Sequence, residues 1–236
     1  MLVRAYLPPI MTALFGGLFI AAGILTFGNA AIFDRLFIGI LVFTAVTCRK
    51  NVNILSVVAI ILLQRALEEC AWSFLTDTYL IKIALYSFGF WLVYYLRHDW
   101  ITRVLLTSLI LVSVAEIYWY INDDLAPQVY WNIGLMIFDV IIRYLIFSRF
   151  SFVELWFKGR AVSINLDWTI YKLSAIAIIV QCAIITEYLI RHILELPNLL
   201  LVYSAYPYAM HIIATIAIWA TFHESYKQIA PKLLKA

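Results

Sequence analysis

Long apolar runs separated by loops of alternating charge constrain this chain more than any other feature. Runs of roughly 20 residues, the length that crosses about 30 Å of hydrocarbon, fall near 7–27, 29–48, 53–74, 79–97, 101–120, 128–148, 168–190 and 198–221. Hydrocarbon offers no water to peptide groups, so each run is expected to be an α-helix. The junctions are basic, then acidic, in turn. Arg4, then Arg49 and Lys50, then Arg97 and Arg103, then Arg149, Lys158 and Arg160, and finally Lys227, Lys232 and Lys235 share one side. Asp77, Asp123, Asp124 and Glu195 share the other, with Arg191 the main basic exception. Lysine and arginine are retained on the cytoplasmic side. The pattern therefore predicts an all-α membrane protein: an eight-span transmembrane helix bundle with both termini cytoplasmic, in a plasma or inner membrane.

Composition agrees. The chain has 236 residues, 65% hydrophobic and 13% charged, where a soluble domain is about a quarter charged. A single polytopic domain over 1–236 is expected, in contact with the lipid bilayer. The net charge of +3 follows from topology and does not point to nucleic acid. Gly28-Asn29-Ala30 resembles a small-residue cleavage site, but the preceding apolar run is too long for a typical signal peptide, so the first span is expected to be retained. Cys48, Cys70 and Cys182 are odd in number and lack CxxC spacing, which suits apolar fillers better than a disulfide framework or a metal site. No cofactor is expected.

Most connections are short, which makes consecutive helices antiparallel neighbours. The exception is 149–167. There Phe150, Val153 and Phe157 fall at helical spacing beside Trp156, with Arg149, Lys158 and Arg160 on the polar side. That pattern fits a short amphipathic helix in the cytoplasmic interface before span seven; an interfacial loop anchored by aromatics fits equally. An internal duplication, 1–100 against 101–236, is a weaker reading. Residues 54–69 align without gaps to 172–187, and AIFD at 31–34 echoes MIFD at 136–139, as parallel repeats do. Ala13, Gly17 and Ala21 recur every fourth residue, a stripe that lets helix backbones approach in lipid.

An ionisable group in hydrocarbon costs a few kcal/mol or more, so it is either paired or functional. Asp139 lies roughly 16 Å along the sixth span at 1.5 Å per residue, near the midplane, with Arg143 at i+4. That order suits an acid–base pair on one helix face. The two readings are an ion or proton site and a self-neutralising pair that locks packing. Arg65 stands one turn before Glu68 and Glu69, and an internal pair of Arg65 with Glu69 is expected. Glu116 and Glu187 reach a similar depth, either lining an outward vestibule that attracts cations or snorkelling to the nearby interface. In the last span Pro207 removes a backbone donor among Tyr203, Tyr206 and Tyr208, ahead of His211. Interrupted helices near the midplane often mark binding sites; the alternative is a simple kink with His211 bonded across helices.

Enzyme signatures mostly fail. HExxH, GxSxG, a P-loop and a glycine-rich dinucleotide turn are all missing. Phe74 stands at, or one position past, the place where membrane-embedded prenyl-protein peptidases carry an arginine after a paired glutamate such as Glu68-Glu69, and their histidine motifs have no counterparts. The leading expectation is a small transport or channel-type protein for an ion, proton or small solute. Asp139, Arg143, Arg65, Glu69 and His211 would form its polar interior, with Glu116 and Glu187 at the mouth and Pro207 as the helix break. The competing expectation is a membrane subunit with protein partners, or a homo-oligomer. A membrane-embedded hydrolase using Glu68, Glu69 and His211 is a remote third.

Overall fold

A computed structural model describes residues 30–75, 78–122, 128–194, 196 and 198–233, together with the single positions Gly17, Ala21, Ile24 and Leu25. Among the described residues there are seven helices and no strand. They are α1 (Ala30–Thr47), α2 (Val52–Phe74), α3 (Tyr79–Tyr95), α4 (Ile101–Asn122), α5 (Tyr130–Trp156), α6 (Asn165–Ile193) and α7 (Leu201–Leu233). Each covers one of the apolar runs from residue 29 onward. The first run, 7–27, lies outside the described residues apart from four exposed positions, as do Ala13, Arg4, Asp77, Asp123, Asp124, Glu195 and Lys235.

Helix boundaries follow local chemistry. Asn51 Oδ1 accepts the Asn53 and Ile54 amides at 3.1 and 3.4 Å, capping the donors that the first turn of α2 leaves open. Asp99 Oδ1 does the same for Ile101 at 3.2 Å. After α5, Gly159 takes a left-handed φ of 71°, which a side chain would resist, and its amide donates to Glu154 Oε1 at 2.8 Å.

Among the described residues three helical stretches are long and apolar enough to cross a membrane: Ile101–Asn122, Asn165–Ile193 and Leu201–Lys227. Their outward faces suit lipid. Ile110, Leu111, Val114 and Ile117 of α4 are all exposed, an apolar surface that water would penalise at about 25 cal/mol per Å².

The chain divides into two compact units, one of residues 64–143 and 174–210, the other of 1–63, 144–173 and 211–236. The first has a continuous apolar core from α3, α4, α5 and α6. Ile101, Leu105, Leu109 and Val112 supply it from α4 at the spacing of one helix face. Gly89 of α3 sits at the closest approach, where a Cβ would lie 3.0 Å from Leu109 and 3.1 Å from Ile137 side-chain carbons. In the second unit Phe33, Phe37 and Leu41 repeat every fourth residue along the buried face of α1.

The amphipathic segment does not form a separate helix. Residues 149–156 continue α5, and 157–164 connect it to α6. The reason is Arg149. It is 1% exposed and turns inward, away from an interfacial polar face. Its Nε and Nη2 donate to the two Asp167 oxygens, each at 2.6 Å. Nη1 reaches Asn53 Oδ1 at 3.1 Å and Ser56 Oγ at 3.3 Å, and Nη2 also reaches the Val162 carbonyl at 2.8 Å. Asn53 in turn donates to the Arg160 carbonyl and accepts the Val162 amide, both at 2.9 Å. One guanidinium thus ties α2, α5, α6 and the α5–α6 connection. Substituting Arg149→Met strands the Asp167 carboxylate and should cost about 3–5 kcal/mol. The measurement is the unfolding midpoint in detergent, and Arg149→Met with Asp167→Leu should recover part of the loss.

Candidate functional site

Asp139 on α5 is 3% exposed and meets two amides. Gln64 Nε2 of α2 donates to Oδ1 at 2.8 Å, and Gln181 Nε2 of α6 donates to Oδ2 at 2.9 Å. Gln64 Nε2 gives its other hydrogen to Glu68 Oε1 at 3.2 Å, so a single amide bridges two carboxylates. Glu68 Oε2 takes Arg65 Nη1 at 2.7 Å. Glu68 and Arg65 lie within electrostatic reach of Asp139. Tyr206 of α7 lies within reach of Asp139, Glu68 and the Gln181 amide. Helical spacing explains the α2 side: Gln64 and Glu68 are four residues apart and share a face.

Each hydrogen bond to a charged group contributes about 1.5–3 kcal/mol. Two such bonds soften the several kcal/mol that burial of a carboxylate costs without supplying a countercharge. Two carboxylates against one guanidinium leave the cluster a positive charge short. Gln181 Oε1 is buried and accepts no hydrogen bond among the described residues. The cluster therefore has a charge vacancy and an unused acceptor side by side.

The expected pairing within α5 is replaced. Arg143 Nε and Nη2 donate to Asp99 at 2.7 and 3.3 Å, while Asp139 turns to the glutamines. Both residues are almost wholly buried, and each is held by side chains of another segment, because a side chain that leaves its own helix face gains better geometry from a neighbour. Arg65 pairs with Glu68 in place of Glu69. Glu69 lies about 100° further round α2 and is exposed.

Glu116 is paired by neighbouring side chains. It accepts Lys82 Nζ at 3.4 Å and the Tyr86 hydroxyl at 3.1 Å, and Lys82 lies 5.3 Å from the Tyr130 ring centre. Glu187 accepts the Val202 and Tyr203 amides at 2.5 and 2.8 Å. It thereby caps the positive end of α7, where a carboxylate is stabilised. His211 packs against Phe33 with ring centres 4.0 Å apart. Pro207 does not interrupt α7, which stays helical from Leu201 to Leu233. A proline removes one hydrogen bond, whereas unwinding would strand several more backbone groups in an apolar setting.

Several partners escaped the sequence reading. Gln64 and Gln181 carry no charge, so hydropathy passes over them. Lys82 stands three residues inside an apolar run, a signal of the kind that singled out Asp139. Asp99 and Asp167 sit at helix starts, where capping explains an aspartate sufficiently. Among the described residues no group of three or more His, Cys, Asp or Glu side chains gathers as a metal site. Among the described residues the three cysteines form no disulfide, and Cys182 Sγ accepts the Ser108 hydroxyl at 3.3 Å.

No protein-family model matches the chain, and no curated protein or solved structure is significantly similar to it. The Lys82–Glu116 pair can be separated from the Asp139 cluster by stability. Lys82→Met leaves Glu116 buried without its cation and should cost about 3 kcal/mol, and Lys82→Met with Glu116→Gln should restore most of that in the same unfolding assay.

Proposed function

We propose that this protein moves protons or a small monovalent cation across a membrane, with Asp139 as the site that takes and releases the ion. The observation that carries the reading is a buried carboxylate held by two neutral amides. A carboxylate serving only to lock helices would be expected to pair with a cation, as Asp99 does with Arg143 and Asp167 with Arg149. Asp139 instead sits in a cluster whose formal charge an incoming proton or cation would neutralise. Such groups inside a membrane segment mark ion pathways and proton relays.

The alternation of basic and acidic loops supports eight spans with both termini cytoplasmic, in a plasma or inner membrane. In this reading Arg143–Asp99, Lys82–Glu116 and Glu187 at the start of α7 are supports that hold the helices around the cluster. Binding energy at the site must stay modest, because conduction or exchange requires release as well as capture.

The test is flux into liposomes that contain the purified protein, followed with a pH-sensitive dye and with cation-selective electrodes. Asp139→Asn should lower the flux at least tenfold while helical content and insertion stay at the wild-type level. Wild-type flux in that variant would remove Asp139 from the pathway and the proposal with it.

A further inference from the structure

We infer that the ligand of the Asp139 cluster is a proton, and that Gln181 is the residue that receives the resulting O–H. The inference deepens the transport reading and rests on the same site. Gln181 is 2% exposed. Its Nε2 already donates to Asp139 Oδ2 at 2.9 Å, while its Oε1 is buried without a partner among the described residues. An unpaired buried acceptor costs about 1–3 kcal/mol, so its persistence beside a carboxylate calls for a donor.

Protonated Asp139 supplies one. A carboxylic acid and a primary amide are complementary: the amide N–H bonds to one carboxyl oxygen, and the acid O–H bonds to the amide oxygen. Half of that ring is present. When hydronium delivers a proton to Oδ1, the new O–H donates to Gln181 Oε1 and closes the ring. Oδ1 can still accept the Gln64 N–H, since a carboxyl oxygen keeps acceptor capacity after protonation. Release returns the proton to water, and no other bond changes. The charged groups that face Asp139 are Glu68 and Arg65 from α2, and Tyr206 faces it from α7. Glu68 and Arg65 neutralise one another at 2.7 Å, which leaves the single vacancy for the proton.

A metal cation fits less well. It exchanges its hydration shell for several oxygen lone pairs. Here two amide N–H groups, the positive ends of their dipoles, point at the carboxylate from α2 and α6, and one buried oxygen stands unused. Gln181 is thus a specificity-determining residue, because its amide oxygen can accept the O–H of a protonated carboxyl and cannot by itself dress a bare ion.

The experiment is pH-difference infrared spectroscopy on the full chain in vesicles. Wild type should show the C=O band of a protonated carboxyl on acidification, and Asp139→Asn should lose it. Gln181→Leu should shift the band to higher frequency, with circular dichroism to verify the fold. At fixed pH, sodium and potassium chloride should leave the wild-type band unchanged, a measurement that needs no variant. Absence of the band, its displacement by either salt, or an unshifted band in folded Gln181→Leu would overturn the inference. A retained, Gln181-sensitive band in liposomes without flux would support the proton site while removing the transport reading. Sodium-coupled flux with a displaced band would do the reverse.

Discussion

A guanidinium or carboxylate taken out of water loses several kcal/mol of solvation, and this chain buries Arg143, Arg149, Asp139 and Glu187 almost completely. Each can remain there only if other groups replace the lost water. The positions of the helices answer to that requirement as much as to apolar packing. Arg149 illustrates it: five of its hydrogen bonds at or below 3.3 Å join α2, α5, α6 and the connection after α5. Apolar contacts tolerate sliding by a fraction of an ångström, whereas a bidentate guanidinium–carboxylate pair does not. The polar locks therefore set register where the apolar cores set proximity.

Against that background Asp139 differs in kind. Arg143, Arg149 and Lys82 each face a carboxylate, and Glu187 faces the backbone amides of a helix start. Asp139 faces two side-chain amides, one of them shared with a second carboxylate. Amides solvate a charge without cancelling it. A site of that kind is sensitive to the arrival of a proton in a way that a matched ion pair is not, since the pair already has its countercharge. This contrast within one chain separates groups that hold the structure from the group on which the proposed chemistry turns.

Sequence reading located the costly residues better than it located their partners. Asp139 and Arg143 stand at i and i+4, and helix geometry allows them to pair, yet the closest partners come from α2, α6 and the α3–α4 junction. Arg149 read as one charge of an interfacial face and proved to be the largest fully buried side chain among the described residues. Glu116 and Glu187 read as a common rim, and were found in separate tasks, one beside Lys82 and one at the start of α7. In each case the deciding neighbour lay on another segment.

The amino-acid sequence by itself determined where the described helices form, that Ile101–Asn122, Asn165–Ile193 and Leu201–Lys227 suit lipid, and where α2 and α4 begin. Those properties depend on apolar length and on capping side chains within a few residues of each boundary, so they are local. Only the tertiary structure decided that Gln64 and Gln181 embrace Asp139, that Asp99 takes Arg143, and that Asp167 takes Arg149. Several apolar helix faces of similar composition can pack against one another with little difference in burial. A buried charge, by contrast, accepts only the arrangement that brings a donor or acceptor to hydrogen-bond distance, and those partners lie 42 to 75 residues away for Asp139, 44 for Arg143 and 18 for Arg149.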